Sequence, residues 1–293
     1  MYHIPKGIRR KGEFHVKCLR TWDCVPQFNS LELKTTTVGY AVAADASEWA
    51  LPDFTAPFSK LYFVLNGSIT AGLLQPDGTT DTVYTLTPGK VWVLPCGNHY
   101  DLSTPAGFEK YYLHISLPAR SGIDLFSGVR QVWGAPFDMD KWAFAQTEEA
   151  GWSFALKAKL LALEAVGLLT EAADNPVLAQ NLYEQSHFPP ALQTAIRYIR
   201  ENISARLTVE ETADACRITA SQLRRLFHDA LGMSPKTYLS DRLYERAGEL
   251  LLTEHVSVKE VAAALKFADL YAFSRFWKRY TGYSPTAYRE MNR

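Results

Sequence analysis

A short theme occurs twice near the C-terminal end of this 293-residue chain. "SQLRRLFHDALGMSP" occupies residues 221–235, and "AFSRFWKRYTGYSP" occupies residues 272–285. Aligned at an offset of 50 residues, the copies match at the pairs Leu223 and Phe273, Arg225 and Arg275, Phe227 and Trp277, Gly232 and Gly282, and Pro235 and Pro285. The apolar positions recur at helical spacing, so the sequence predicts one helical unit present in two copies.

Each copy carries the signals of two short helices separated by a tight turn. Thr208 with Glu211, and Ser257 with Glu260, predict capping boxes at the first helices. Thr219 is a predicted N-cap of a second helix, and Gly232 and Gly282 are expected to end the second helices. The pattern predicts helix-turn-helix units at about 207–232 and 257–282, joined by a long helix that begins at Ser234-Pro235. In such a unit the second helix enters the DNA major groove.

Arg225 and Arg275 stand at the same position of the two second helices and face outward. A guanidinium group there can donate two hydrogen bonds to a guanine edge or make one strong contact with phosphate. The alternative is that each arginine merely solvates an exposed helix face. Repetition of the residue at one position of both units favours the DNA contact.

Residues 190–290 resemble the DNA-binding domain of the AraC family of bacterial transcription regulators. The family signature corresponds to "VKEVAAALKFADLYAFSRFWKRYTGYSPTAYR". The chain departs from the family pattern at Lys266, where glycine is usual, at Tyr271, where serine is favoured, and at Trp277, where phenylalanine is favoured. Lys266 is expected to strain the turn if that position requires a positive φ angle.

The resemblance implies positions for the contacts with double-stranded DNA. Seven residues are expected to touch base edges: Ser221, Arg224, Arg225, Leu270, Tyr271, Ser274 and Arg275. Three are expected to contact phosphates: Lys236, Lys278 and Arg279. Two recognition helices on one frame are expected to enter successive major grooves about 34 Å apart.

The chain from about Leu33 to Leu117 has a different pattern. Short runs of β-branched and aromatic residues alternate with the turn signals Asn66-Gly67 and Pro76-Asp77-Gly78, which are typical of hairpins. An antiparallel sandwich or barrel is predicted. The family resemblance implies a cupin-like barrel that senses a small molecule, and "GKVWVLPCGNHYDL" partly matches a cupin motif.

The predicted fold class is therefore α+β with two domains. A cupin-like ligand-sensing and dimerisation domain is expected at 1–172, a linker at 173–190, and the all-α DNA-binding domain at 191–293. Residues 152–171 predict a helix with a wide apolar stripe, in which Leu161, Ala165 and Leu168 lie beside a face of Leu156, Leu160, Leu163 and Gly167. This helix is expected either to pack on the outside of the barrel or to pair with its copy in a second subunit.

Aromatic and histidine residues of the predicted strands are candidates for a ligand pocket. Rings can stack on a sugar while polar atoms fix its hydroxyl groups. The candidates are Tyr62, Trp92, His99, Tyr112 and His114. A sugar is the first expectation, by family habit; another small metabolite, or no ligand, stays open, and each residue could also be an ordinary part of a barrel.

Metal-dependent catalysis is not expected. Cupin enzymes hold a metal with two or three histidines and a glutamate, whereas this chain has no HxH motif and no nucleophile-base arrangement. Cys18, Cys24, Cys96 and Cys216 form no CxxC pair, so free thiols are expected. The alternative to a regulator is a cupin-type metal-dependent enzyme fused to a DNA-binding module, and no cofactor is predicted.

The charge distribution agrees with a DNA-binding C-terminal end. The chain has 31 basic and 31 acidic residues, but from Pro189 onward basic residues number 16 and acidic residues 12. The first residues lack the apolar core of a signal peptide, and a cytoplasmic location without a membrane partner is expected. Expected partners are DNA, a small-molecule effector, a second copy of the chain and, for an activator, RNA polymerase.

Overall fold

The computed structural model describes residues 32–118, 124–184, 188–252 and 256–291. The N-terminal region folds into short antiparallel strands, as the alternation of apolar runs and turns predicts. Within the described residues the strands are β1 Lys34–Ala43, β2 Ala50–Thr55, β3 Ser59–Gly67, β4 Ile69–Leu74, β5 Thr80–Leu86, β6 Lys90–Leu94, β7 His99–Ser103, β8 Phe108–Ser116 and β9 Trp133–Pro136.

The strands form two sheets whose inner faces share one apolar core. A five-stranded sheet has the order β1-β8-β3-β6-β9, and a four-stranded sheet has the order β2-β7-β4-β5. Tyr62 and Val64 of the first sheet share this inner core with Ala71 and Leu102 of the second. Antiparallel sheets in this region are therefore confirmed, and closure of the sheets into a barrel stays a prediction.

The two predicted turns have different outcomes. Pro76-Asp77-Gly78 joins β4 to β5, where Leu74 faces Thr80, so this hairpin is confirmed. The prediction of a hairpin at Asn66-Gly67 is wrong, because β3 and β4 lie in different sheets. The chain crosses between the sheets at this point, and the Ser68 amide donates to the Gly107 carbonyl.

A second apolar core covers the outer face of the five-stranded sheet. Tyr111, Leu113 and Ile115 point to this face, as the alternation in β8 predicts. A 3-10 helix at Met139–Gln146 and helix α1 at Trp152–Ala172 pack here. Packing of α1 on the sheet is confirmed.

The buried face of α1 includes Leu161 and Ala165 from one side of the predicted stripe, and not its central leucines. Ala158, Leu161, Ala162, Ala165, Val166 and Leu169 are buried. Leu156, Leu160 and Leu163 remain exposed, with relative solvent accessibilities of 62%, 57% and 42%. The helix is apolar on both sides, so periodicity alone could not decide which side the sheet covers.

Part of the stretch predicted as a linker is helical. Helix α2 spans Pro176–Glu184, and its Leu178 is buried in the outer core. The Asn181 side-chain amide donates to the carbonyls of Leu125 and Ser127. Helix α2 therefore packs on the N-terminal region and is hydrogen-bonded to it.

The C-terminal region is helical, as predicted. Its described helices are α3 Pro190–Asn202, α4 Val209–Ala215, α5 Ala220–Leu231, α6 Pro235–Leu252, α7 Val258–Ala264, α8 Leu270–Thr281 and α9 Pro285–Met291. Helices α4 and α5 form a first helix pair, and α7 and α8 form a second. None of the described helices is long and apolar enough to cross a membrane.

The two helix pairs have different packing environments. The first pair has a core of its own with α3 and the start of α6, centred on Leu223, Phe227 and Ile199. The core of the second pair, which contains Phe273 and Trp277, is continuous with the inner core of the sheets. The second pair is therefore packed directly against the N-terminal region.

Close contacts join the second pair to the sheets. The Tyr283 hydroxyl donates to the Pro52 carbonyl at 2.6 Å. A Cβ atom at Gly248 of α6 would lie 2.5 Å from the Pro57 ring, so the absence of a side chain permits this approach. At the edge of the contact, Lys34 of β1 forms an ion pair with Glu249.

Candidate DNA interface and effector site

The caps that place the four helices of the two pairs follow from local sequence. The predicted capping boxes at Thr208 with Glu211 and at Ser257 with Glu260 are both present. Thr219 caps α5, as predicted, and Gln222 completes a third box there. In the second pair Asp269 accepts the Ala272 amide at 2.7 Å and so begins α8.

The turn between the helices has the same backbone shape in both pairs. Arg217 and Lys266 occupy equivalent positions and have φ angles of 56° and 57°. The backbone of Lys266 is therefore in the left-handed region, which residues other than glycine adopt at a cost of roughly 1 kcal/mol. Both α5 and α8 then end at a glycine in the left-handed conformation, at Gly232 and Gly282.

Helices α5 and α8 bury one stripe and expose the opposite face. Leu223 and Phe227 of α5, and Phe273 and Trp277 of α8, are fully buried. Nine of the ten residues predicted to contact DNA are exposed, and Ser274 is half-buried. The exposed nine are Ser221, Arg224, Arg225, Lys236, Leu270, Tyr271, Arg275, Lys278 and Arg279.

Local partners hold several of these side chains. The Arg224 guanidinium donates to the Glu210 carboxylate of α4 at 3.1 Å. The pair is exposed on both sides, so water screens it and DNA phosphate can compete with it. The Arg275 guanidinium lies 5.6 Å from the centre of the Tyr271 ring, and Arg279 lies 5.7 Å from that of Phe276. The face of α8 therefore offers cations supported by aromatic rings.

The structure brings four of the five predicted ligand residues to the inner face of the five-stranded sheet. Tyr62 of β3 stands opposite Tyr112 of β8 on one side and Trp92 of β6 on the other. His114 is two residues from Tyr112 and therefore shares its face. Tyr62 and His114 are buried, whereas Tyr112 and Trp92 are half-buried.

His99 lies apart from that group. In β7 the side chains of Tyr100 and Leu102 point into the inner core, so His99 points to the opposite face. Its ring nitrogen Nδ1 lies 2.6 Å from an oxygen of Asp53, in an exposed pair. The prediction that His99 lines the same pocket does not fit this geometry, because the alternation of β7 turns it outward.

Two buried lysines on the same inner face were missed. Lys60 and Lys110 are only 4% and 3% exposed. Lys60 stands opposite His114 in the sheet register and is two residues from Tyr62, and Lys110 is two residues from Tyr112. The period-2 alternation that grouped the aromatic residues would have placed both lysines with them.

Aromatic rings surround the two ammonium groups. The Lys60 Nζ atom lies 3.6 Å from the centre of the Phe54 ring, and the Lys110 Nζ atom lies 3.5 Å from that of Tyr62. The rings of Trp49 and Phe108 are each 4.5 Å from the Lys110 Nζ atom. No described residue forms an ion pair or a hydrogen bond with either ammonium group.

Burial disfavours the charged forms of these groups. It lowers the pKa of Lys60 to about 7. Burial and the neighbouring Lys60 hold the pKa of Lys110 well below its usual range. Burial and both lysines lower the pKa of His114 in the same way, and its Nδ1 atom has no hydrogen-bond partner among the described residues.

A separate cavity of about 380 Å³ lies between the N-terminal region and α6. Charged residues of both signs line it, including Lys34, Arg242, Glu245 and Arg246. Arg242 and Glu245 form an ion pair at 2.6 Å, and burial raises the pKa of Glu245 to about 8 in spite of that pair. Within the part of the chain that the structure describes, no three His, Cys, Asp or Glu side chains come together to hold a metal ion.

Comparison with known proteins identifies the C-terminal region. Residues 212–291 match the family model of a helix-turn-helix domain. The chain is similar to the raffinose operon transcriptional regulatory protein RafR of Pediococcus pentosaceus, with 32% identity over 96 residues. It is also similar to the lactose operon transcription activator of Staphylococcus xylosus, with 31% identity over 98 residues.

These matches cover a third of this chain and about a third of the length of the relatives. The shares are 33% of this chain and 35% of each relative. They therefore bear on the helical C-terminal region.

A solved structure is similar over both regions. The structure of ToxT from Vibrio cholerae with a bound unsaturated fatty acid covers 87% of this chain and 95% of its own, with a TM-score of 0.53 and 12% sequence identity. At this identity the likeness concerns the fold alone, which combines antiparallel sheets with a C-terminal set of helices. The family model and the relatives show that the C-terminal region of this chain belongs to the AraC family of DNA-binding, helix-turn-helix transcription regulators.

Proposed function

We propose that the whole chain is a sequence-specific transcription regulator whose DNA binding responds to a small molecule held between the two sheets. The observation that carries the proposal is the placement of Arg225 and Arg275. They occupy equivalent positions on α5 and α8, and both are exposed on the face opposite the buried stripe. A guanidinium in that position can read a guanine edge in the major groove.

On this proposal the two helix pairs are two helix-turn-helix units. Helices α5 and α8 enter successive major grooves, and Ser221, Arg224, Leu270, Tyr271 and Ser274 add contacts with base edges. Lys236, Lys278 and Arg279 contact phosphates and set the register of the protein on DNA. Arg224 exchanges its exposed pair with Glu210 for DNA when it binds.

The effector is proposed to act through the contact between the sheets and the second helix pair. The two share one core, so a ligand that shifts the inner face of the sheets also shifts the packing of α8 and α9. The first pair has a core of its own, and Ile203 at its edge packs against both cores. A ligand in the interior would therefore change the position of one recognition helix relative to the other.

The similar proteins do not determine the chemical class of the effector. The regulators named for raffinose and lactose operons match this chain only over about a third of their length. The fatty acid of the ToxT structure belongs to a protein with 12% identity. A sugar thus stays a prediction: the aromatic rings of Tyr62, Trp92 and Tyr112 on one face of the sheet suit a sugar, whereas the two buried lysines on that face suit an acid.

A homodimer is proposed through the exposed side of α1. Trp152 is 94% exposed, and Leu156 and Leu160 follow at intervals of four residues. These residues form one apolar stripe along a helix that already packs its other side on the sheet. A second copy of the same helix would cover the stripe with a matching one.

Selection of bound sequences from a random DNA pool tests the proposed function. The wild-type chain is expected to enrich a motif with two half-sites about one helical turn apart. The variants Arg225→Ala and Arg275→Ala are each expected to lose preference in one half-site and keep it in the other. Failure of the wild-type chain to enrich any motif, at salt concentrations where it binds DNA, would contradict the proposal.

A further inference from the structure

Lys60 and Lys110 carry two buried amino groups for which the described residues supply no anion. Each is more than nine-tenths buried, and both project from neighbouring strands into the interior between the sheets. The contacts around their Nζ atoms are aromatic rings. An isosteric apolar side chain would pack there without the cost of desolvating an ammonium group.

The groups around them form a mixed site. His114 contributes a buried Nδ1 atom without a hydrogen-bond partner among the described residues, and its ring stacks on Phe58 at 4.6 Å. Phe54, Tyr62 and the rings near Lys110 provide apolar walls. Cations enclosed by rings match a ligand with an anionic head and an apolar body.

We propose that the interior between the two sheets binds a small organic carboxylate, whose head takes Lys60 and Lys110 as counter-charges and whose apolar body packs on the surrounding rings. This inference rests on the proposed function for the claim that the interior holds the effector, and it names the class of that effector. A carboxylate can accept hydrogen bonds from two lysine side chains at once, and it supplies a negative charge. The hydroxyl groups of a neutral sugar supply no charge.

The charge balance of the site favours a monoanion over a dianion. The charge of Lys60 disfavours protonation of Lys110 and of His114, so the unliganded interior does not hold three full charges. A carboxylate favours the charged form of a lysine that it pairs with, and one charged lysine balances a monoanion. A phosphate dianion has a larger desolvation cost to overcome in the same enclosed space.

Binding of matched acids and amides to the full-length chain tests the proposal. The probes are hexanoate and phenylacetate, with hexanamide and phenylacetamide as uncharged counterparts, and phenyl phosphate as the dianion. Titration calorimetry at pH 6.5 is expected to show binding of at least one acid and weaker binding of its amide. Lys60→Met and Lys110→Met are each expected to raise the Kd of that acid about tenfold or more.

Two control variants separate this site from other lysines. Lys90→Met removes an exposed lysine from the same sheet, and Lys34→Met removes the lysine that lines the cavity beside α6. Both are expected to leave the Kd of the acid unchanged. The proposal is overturned if Lys34→Met abolishes binding while Lys60→Met does not, because the carboxylate would then occupy the cavity between the regions.

A measurement on the wild-type chain covers the case in which a variant fails to fold. With the lysine side chains labelled with ¹³C at Cε, the resonances of the two buried lysines are expected to shift on addition of the acid. No shift of either resonance at saturating acid would overturn the proposal. So would binding of an amide, a sugar or phenyl phosphate as tightly as any acid.

Operator binding in the same samples separates the two proposals. If the chain binds its selected DNA motif but no carboxylate, the carboxylate site is wrong and the regulator stands. If it binds the acid but enriches no DNA motif, the carboxylate site stands and the proposed function fails.

Discussion

The ring of Phe54 in β2 stacks on the ring of Tyr288 in α9, with centroids 5.9 Å apart and planes inclined by 13°. Phe54 is also the residue whose ring contacts the Lys60 Nζ atom. Tyr288 in turn packs edge-on against Trp277 of α8, with centroids 4.9 Å apart. One aromatic side chain thus contacts both the buried lysine and the packing of the second recognition helix.

Phe54→Leu is expected to weaken the effect of the effector on DNA binding. The smaller side chain loses both ring contacts, so a change at Lys60 no longer reaches Tyr288 by this route. Fluorescence anisotropy on the selected DNA motif, with and without the bound acid, measures the ratio of the two Kd values. We expect this ratio to approach one in the variant.

Phe63→Leu is the matched control for that change. Phe63 is as fully buried but belongs to the outer core. Both variants are expected to lose roughly 1 to 2 kcal/mol of unfolding free energy. An equal loss of the effector response in both would show that general destabilisation, and not the Phe54 contact, is responsible.

The close approach of Gly248 to Pro57 gives a prediction about the contact between the regions. Replacing glycine by alanine inside a helix ordinarily stabilises it by about 1 kcal/mol. Gly167→Ala in α1 is expected to show that gain, because nothing lies within 4 Å of the new methyl group. Gly248→Ala is expected to lose it, since the methyl group would lie 2.5 Å from the Pro57 ring. Urea denaturation of both variants measures the difference, and equal gains would mean that this contact does not form in solution.

The proposed DNA contacts are tested by comparing the loss of an arginine that is expected to contact bases with the loss of a lysine that is expected to contact phosphate. Arg225→Ala and Arg275→Ala are each expected to cost roughly 1–3 kcal/mol of binding free energy on the selected motif and to relax specificity at one position. Lys278→Ala is expected to weaken binding to all DNA sequences alike. The slope of log K against log salt concentration is expected to fall by about one, which corresponds to one phosphate contact. Anisotropy over a salt series separates these outcomes, and wild-type affinity in both arginine variants would refute the assignment.

The exposed stripe of α1 is tested by charge. Leu156→Glu combined with Leu160→Glu places four like charges along the proposed contact of two helices, which is expected to convert the dimer to a monomer. Val83→Glu changes an exposed apolar residue of β5 and is expected to leave the assembly unchanged. Sedimentation velocity reports the mass of each variant. A wild-type chain that is monomeric at micromolar concentration would exclude this interface.

Burial of Lys60 predicts a specific dependence of stability on pH. Because its pKa falls from 10.5 to about 7 on folding, the unfolded chain binds a proton between these values that the folded chain does not. The unfolding free energy of the wild-type chain therefore increases as pH rises through this range. Below pH 7 the destabilisation caused by burying the charged Lys60 is fully present. Lys60→Met removes this destabilisation. Its stability advantage is expected to be largest near pH 6 and to shrink by at most about 1.4 kcal/mol per pH unit above 7.

Urea denaturation of the wild-type chain and Lys60→Met between pH 6 and 9 measures this advantage. His114 of β8 stands opposite Lys60, and the charge of Lys60 lowers the pKa of both His114 and Lys110. Because the loss of Lys60 removes that effect, Lys110→Met is measured in parallel. An advantage that does not change with pH would show that Lys60 is not buried as the structure has it.

Local sequence was sufficient for the C-terminal region. The capping boxes, the glycine ends and the buried stripe of each recognition helix depend on residues within about four positions of each other, and all appear where predicted. The repeat then placed Arg225 and Arg275 on equivalent exposed surfaces. The family resemblance rests on the same local signals.

Only the tertiary structure decided which elements meet. Whether α1 buries Leu156 or Leu161, whether Asn66-Gly67 makes a hairpin, and whether the second helix pair packs on the sheets all depend on contacts between distant residues. Phe54 and Tyr288 are far apart in the chain, so no periodicity relates them. The burial of Lys60 and Lys110 is of the same kind: alternation places them on one face, but the packing of a second sheet and its rings over that face buries them without an anionic partner among the described residues.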